Sequence, residues 1–412
     1  HIYDKALQKF FNYRHDPARE GTIANNTVNC LFIDRKGLVW LGTDRGISVH
    51  NPQQEIFVQR FLPAAKKELT IYDFYKDEND DLLIGTNEGI FVQRNGADVF
   101  EHKPLYYKGT PIAVTKFFKD DDGAFYIGTD YSLFTYNRTS GAVALLPGTE
   151  KDTVMNKIID SRVVSIIKDT IDNHPVLLVS PYGHYLAYYD LTDQRWISRL
   201  DRTKKIIDRF NLKDNLIRRF YKMNDGGIRL ATSRYGLGKW ETDLTPAITY
   251  FSNNPSQKTS ISNNNIFDMA EDAKGNLWVS TYGGGLNYFN SNANEFLHFP
   301  ESKNLLEGLQ QDAKSNVWMI SNGNLEKYNP AAKSFSTFIL PDIEKSGGIK
   351  GNIYKDSTGY MYVAGTNYFI RFLPGAVTDN STQPKTYFTD FKIFNTSYSN
   401  LLQDKKINLK YY

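Results

Sequence analysis

The chain has 412 residues, 41% apolar and 14% aromatic, which is enough to bury a large core and excludes a disordered or low-complexity chain. Its 49 basic and 46 acidic residues leave a net charge of +3, too balanced for nucleic acid or an anionic membrane to be the main partner. A single cysteine, Cys30, excludes an intrachain disulfide and any zinc site built on several thiolates.

The chain opens with His1 to Tyr13, which reads as the end of one strand and a following strand. This piece is expected to belong to an incomplete preceding blade or to supply the outer strand of a closing one. The first residue is not Met, and no apolar run approaches the ~20 residues that span a bilayer. A signal peptide or membrane anchor is therefore expected to lie outside this stretch. Cys30 sits in the mostly apolar run Val28 to Ile33 and is expected to be a buried, inert thiol.

From Asn26 onward one unit recurs. Its best copy is Asn263 to Asn290, which reads as strands over Ile266 to Glu271, Leu277 to Thr281 and Leu286 to Phe289, with a fourth at Phe296 to Phe299. Asp272-Ala273-Lys274-Gly275-Asn276 and Tyr282-Gly283-Gly284-Gly285 are the turns between them. Aligned on Trp278, the copies place Trp40, Leu83, Tyr126, Leu178, Arg229, Trp318 and Tyr362 at the same point, 40 to 52 residues apart. That period points to β-propeller blades of four antiparallel strands. The eight units are expected to close as seven or eight blades within residues 1–383. The aromatic residues at the aligned position are expected to pack between neighbouring blades.

Two copies depart from the pattern. One carries Pro175 where the reference unit has Gly275, and the next has Arg229 at the aromatic position. Beyond about Gln383 the rhythm stops. Residues 384–412, with strands at Lys385 to Phe394 and Lys406 to Tyr412, read as the start of a second, β-sandwich-like domain.

The motifs Asn264-Asn265-Ile266, Asp272 to Trp278 and Gly284-Gly285-Leu286-Asn287-Tyr288 resemble the two-component regulator propeller repeat, and Asn26 to Asn51 resembles it next best. Residues 384–412 are similar to the opening of the three-tyrosine (Y_Y_Y) domain that follows such propellers. The resemblance implies the periplasmic sensor region of a membrane-anchored bacterial regulator, ahead of a transmembrane helix and a histidine kinase module. It also implies oligosaccharide sensing, and the full-length protein is expected to form a homodimer.

The chemistry is sparse. Tyr282 to Gly285 precedes a strand and not a helix, so it is a hairpin turn and no nucleotide loop. The seven histidines are dispersed without metal-ligand spacing, and no metal or cofactor is expected. No catalytic set stands out, so the chain is expected to be no enzyme. A propeller glycan hydrolase or lyase and a dimerisation scaffold without a small ligand are the alternatives.

Binding is expected at the turn after the Gly-Thr strand, which varies while its frame repeats, and such loops carry function. The candidates are Arg45, Glu88, Tyr182, His184, Arg234, Tyr235, Tyr282 and Asn322. Aromatic faces for sugar C–H groups, beside polar groups for hydroxyls or acids, suit an oligosaccharide.

Overall fold

The computed structural model describes residues 2–4, 9–17, 22–34, 37–50, 56–63, 68–147, 160–197, 207–241, 247–338, 340, 348–377, 392–393 and 396–397. The chain divides into two compact units, residues 53–377 and residues 1–52 with 378–412.

Among its described residues the larger unit contains, besides one small hairpin, Tyr106–Tyr107 with Thr110–Pro111, seven four-stranded antiparallel sheets. Their innermost strands are Ile71–Lys76, Val114–Lys119, Val163–Ile171, Ile217–Lys222, Ile266–Glu271, Leu306–Gln311 and Lys350–Lys355, which define blades 1 to 7. Each inner strand neighbours the next, and the seventh returns to the first, so the blades form a closed ring. The reference unit is blade 5, with strands Ile266–Glu271, Leu277–Thr281, Gly285–Asn290 and Glu295–Phe299.

Apolar packing is arranged by seam. Seven buried clusters occur among the described residues, and each joins two adjacent blades. The second strand of each blade lies between both seams. Leu82–Thr86, Phe125–Thr129, Ile228–Thr232, Leu277–Thr281 and Val317–Ser321 are buried at every residue. This explains why that strand reads as a continuous apolar run and not as an alternation. Trp278, Trp318, Tyr126 and Tyr362 are buried in these seams. Polar atoms there are tied down as well. The Trp318 indole N–H donates to Asp312 (2.9 Å) and the Tyr362 hydroxyl to Asp356 (3.0 Å), each onto the aspartate that shapes the preceding turn. In blade 5 the Tyr288 hydroxyl donates to Asp272 (2.6 Å), and the Trp278 N–H is left without a partner.

The ring closes with Val58–Phe61, which pairs antiparallel to Tyr368–Phe372 and forms the outer strand of blade 7. Residues 1–13 were expected in that place; instead Ile2–Asp4 pairs with Lys9–Phe11. Phe57, packed with Trp318, Phe338 and Phe372, anchors the closing strand and shows why the segment beside it fits. Seven blades therefore come from seven of the repeat units.

The first unit contains the remaining copy as a three-stranded sheet, Val28–Ile33, Val39–Thr43 and Gly46–His50. Residues 1–383 are thus divided between the two units and do not make one ring. Cys30 is exposed, contrary to expectation, as is every residue of its strand. Of the tail from 384, the hairpin Lys392–Ile393 with Thr396–Ser397 is described; the expected strands of the three-tyrosine domain otherwise lie outside the described residues.

Candidate functional site

The inner strands decide what faces the axis of the ring. Each has a register shift near its start: between Ile71 and Asp73, Val114 and Lys116, Val163 and Ser165, Ile217 and Arg219, Ile266 and Asp268, Leu306 and Leu309, and Lys350 and Ile353. A bulge leaves a residue out of the ladder and re-aims its side chain. The residues skipped are Tyr72, Thr115, Val164, Arg218, Phe267, Glu307 with Gly308, and Gly351 with Asn352.

These bulges surround a funnel of about 380 Å³ that takes lining residues from all seven blades. Besides the bulge residues, Arg162, Tyr182, Lys116 and Lys350 face into it. Two of its cations rest on rings. The Arg162 guanidinium lies 4.6 Å from the centre of Tyr72, and Arg218 lies 5.8 Å from Phe267. Arg218 donates to Asn265 Oδ1 (3.0 Å), while its Nε is buried with no partner. Burial pulls this guanidinium below the ordinary arginine range, and Tyr182, Asp214 and Tyr282 offset the effect only in part. Glu307 accepts the Gly351 N–H (2.6 Å).

Below the funnel the ring is clasped by side chains that reach the next blade. Asp73 accepts the Phe117 N–H (2.9 Å), Ser165 the Phe220 N–H (3.0 Å) and Asp268 the Leu309 N–H (2.9 Å). Arg219 and the fully buried Asp268 form an ion pair across blades 4 and 5. Lys116 pairs with Asp73 (3.4 Å). These groups hold the inner strands in place, so the funnel wall above them is a rigid frame for a ligand.

The eight residues singled out from the sequence are distributed unevenly. Tyr182 lines the funnel and is more than half exposed. Tyr282 is exposed and lies within electrostatic reach of Arg218. Arg234 is held on blade 4 by Asp214 (3.6 Å) and by Asn215. Tyr235 packs against Tyr250, with ring centres 6.0 Å apart. His184 is exposed in its turn, where its backbone N–H donates to Pro181 O (3.1 Å). The Glu88 carbonyl faces His102 Nε2 (2.8 Å), and Asn322 occupies the left-handed region at φ 48°. Arg45 belongs to the other unit. Most of these turns are self-contained: the threonine of the preceding strand caps them, as when Thr86 Oγ1 donates to Gly89 O (3.0 Å) and Thr232 Oγ1 to Gly236 O (2.6 Å).

The sequence reading missed the bulge position. The residue after the apolar one that opens six of the inner strands runs Tyr72, Thr115, Val164, Arg218, Phe267, Glu307, varying while the opening residue stays apolar, which does not by itself mark a bulge.

Among the described residues, His174, Asp190 and Asp193 bring ligating atoms within 4.8 Å of one another. Their groups are already engaged. His174 Nδ1 faces Asp190 (2.7 Å), the Thr192 and Asp193 N–H groups donate to Asp190, and Arg195 pairs with Asp193 (2.9 Å). The cluster reads as a clamp on a turn.

Comparison with known proteins agrees with this architecture. Residues 22–45 and 260–283 match the family model "Two component regulator propeller", so the chain carries repeats of that kind. Histidine kinase P4 of Formosa agariphila is 29% identical over 100 residues, 23% of this chain and 7% of that protein. The extracellular domain of a B. thetaiotaomicron protein, described both as a one component and as a hybrid two component system, superposes with a TM-score of 0.61 at 16% identity. That match covers 97% of this chain and 53% of the other, so the chain spans about half its length. Virginiamycin B lyase from Staphylococcus aureus superposes at 0.55 with 10% identity, over 76% of this chain and 98% of that one. Identities this low speak to the β-propeller fold alone.

Proposed function

We propose that this chain is the non-enzymatic sensor region of a two-component regulator, exposed to the periplasm and binding a small oligosaccharide in the funnel of its seven-bladed ring. The observation that carries the reading is the funnel wall itself. Its frame repeats in every blade, while its lining residues differ from blade to blade and combine rings with hydrogen-bonding groups. A volume of about 380 Å³ lies near the lower end of small-molecule pockets, about 300–1,000 Å³. It suits the end of a short saccharide. Tyr72, Tyr182 and Phe267 offer faces to sugar C–H groups, and Asn352 and the Glu307 carboxylate oxygen not taken by the Gly351 N–H offer partners to hydroxyls.

In this reading the chain works as part of a longer, membrane-anchored protein that forms a homodimer, and the kinase module lies in another segment. The comparisons support it through the propeller repeats and the kinase relative.

Isothermal calorimetry of the protein against a panel of oligosaccharides tests the proposal. Binding of at least one, weakened about ten-fold or more in Tyr182→Ala, is expected. Absence of binding heat with every member would refute it, and turnover of any member would replace it with an enzyme.

A further inference from the structure

The charge in the funnel is one-sided. Arg162, Arg218, Lys116 and Lys350 face Glu307 as the one carboxylate among the described residues of the lining. Lys116 has its counter-charge in Asp73. Among the described residues no carboxylate pairs with Arg162, Arg218 or Lys350, although the structure contains many ion pairs elsewhere. Arg162 and Arg218 are instead steadied by the Tyr72 and Phe267 rings, and Arg218 by the neutral amide of Asn265. One oxygen of the Glu307 carboxylate accepts the Gly351 N–H.

Leaving a half-buried guanidinium with no carboxylate in contact, and Asp214 acting on it only from a distance, is costly, and a planar fork of N–H donors matches the oxygens of a carboxylate or sulfate. We propose that the funnel selects saccharides bearing an acidic group, which is received by Arg218 and Arg162 with Lys350 at the mouth. The Arg218 Nε is buried without an acceptor among the described residues, so the protein leaves this guanidinium under-satisfied. Burial strips Arg218 of part of its hydration, a cost that an incoming anion offsets. This inference rests on the saccharide reading of the same funnel.

Matched pairs test it. The full chain is titrated by calorimetry with oligouronides carrying free or methyl-esterified carboxylates, and with sulfated or desulfated galacto-oligosaccharides. At least one acidic form is expected to bind about ten-fold or more tightly than its neutral partner, a difference of about 1.4 kcal/mol. The gap should shrink as salt is raised. The favoured series tells carboxylate from sulfate. Arg218→Gln, and separately the exposed Lys350→Ala, should narrow the gap while leaving the thermal unfolding midpoint near that of the parent. Equal binding of acidic and neutral partners overturns the anion inference and leaves the saccharide reading standing. Binding by neither series, alongside binding of a neutral sugar from the wider panel, also overturns it. No binding by any saccharide removes the saccharide reading itself.

Discussion

Single aspartates hold the turns of this ring, and their charge is stabilising. Burial by itself would raise the carboxyls of Asp272 and Asp356. Hydrogen bonds outweigh it, from Tyr288 and the Asn276 and Lys274 amides to Asp272, and from Thr358, Tyr362 and Lys76 to Asp356, so both lie below the ordinary range. A carboxylate whose folded pKa is depressed contributes stability that is present above its unfolded value, about 3.9, and is lost as pH falls through the folded value. The urea midpoint is therefore expected to stay level on their account from neutral pH down to about 5 and to fall below about pH 4. Asp356→Asn should lower the midpoint at neutral pH and flatten the acid limb. A variant that keeps the parent's acid dependence would show that Asp356 does not supply it.

At the scale of a strand, the repeat was legible wherever backbone geometry demanded particular residues. Gly275, at φ 78°, closes a tight turn after Asp272, and the Trp278 strand reads as an apolar run because both of its faces are covered. The glycine of the Gly-Thr strand has a different reason. A Cβ on Gly85 would lie 2.7 Å from the Val114 carbonyl oxygen of the next blade, so this glycine sets how closely two blades approach. Gly85→Ala is expected to destabilise by about 1–3 kcal/mol, measured by chemical unfolding, since the obstacle is backbone that must move. A neutral result would mean the seam is looser than it looks. Bulges were not legible in the same way. A bulge shows as an offset in pairing and has no composition of its own, so Tyr72, Arg218 and Phe267 read as ordinary strand residues while the hairpin turns drew attention. Tyr182 was singled out as a turn residue, and its turn reaches the funnel.

For the whole molecule, the period identified the propeller, but it could not choose which copies share a ring. That choice is made by long-range packing. Phe57 contacts Phe338 and Phe372, and Val58–Phe61 completes the blade that begins at Lys350. Phe57→Ala should cost about 3–5 kcal/mol, as for other buried aromatics, despite its place next to the start of the ring. A loss of less than about 1 kcal/mol in urea unfolding would contradict closure through this strand.

The central claim is that the bulge-lined funnel is where ligand binds. Hydroxyl-radical footprinting of the full chain, with and without the tightest-binding oligosaccharide, addresses it directly. Protection is expected at Tyr72, Tyr182 and Phe267, with Tyr235 and the outer groove of Trp278, Tyr288 and Phe299 unchanged. Protection confined to that outer groove, or to the hairpin turns away from the funnel, would contradict the account.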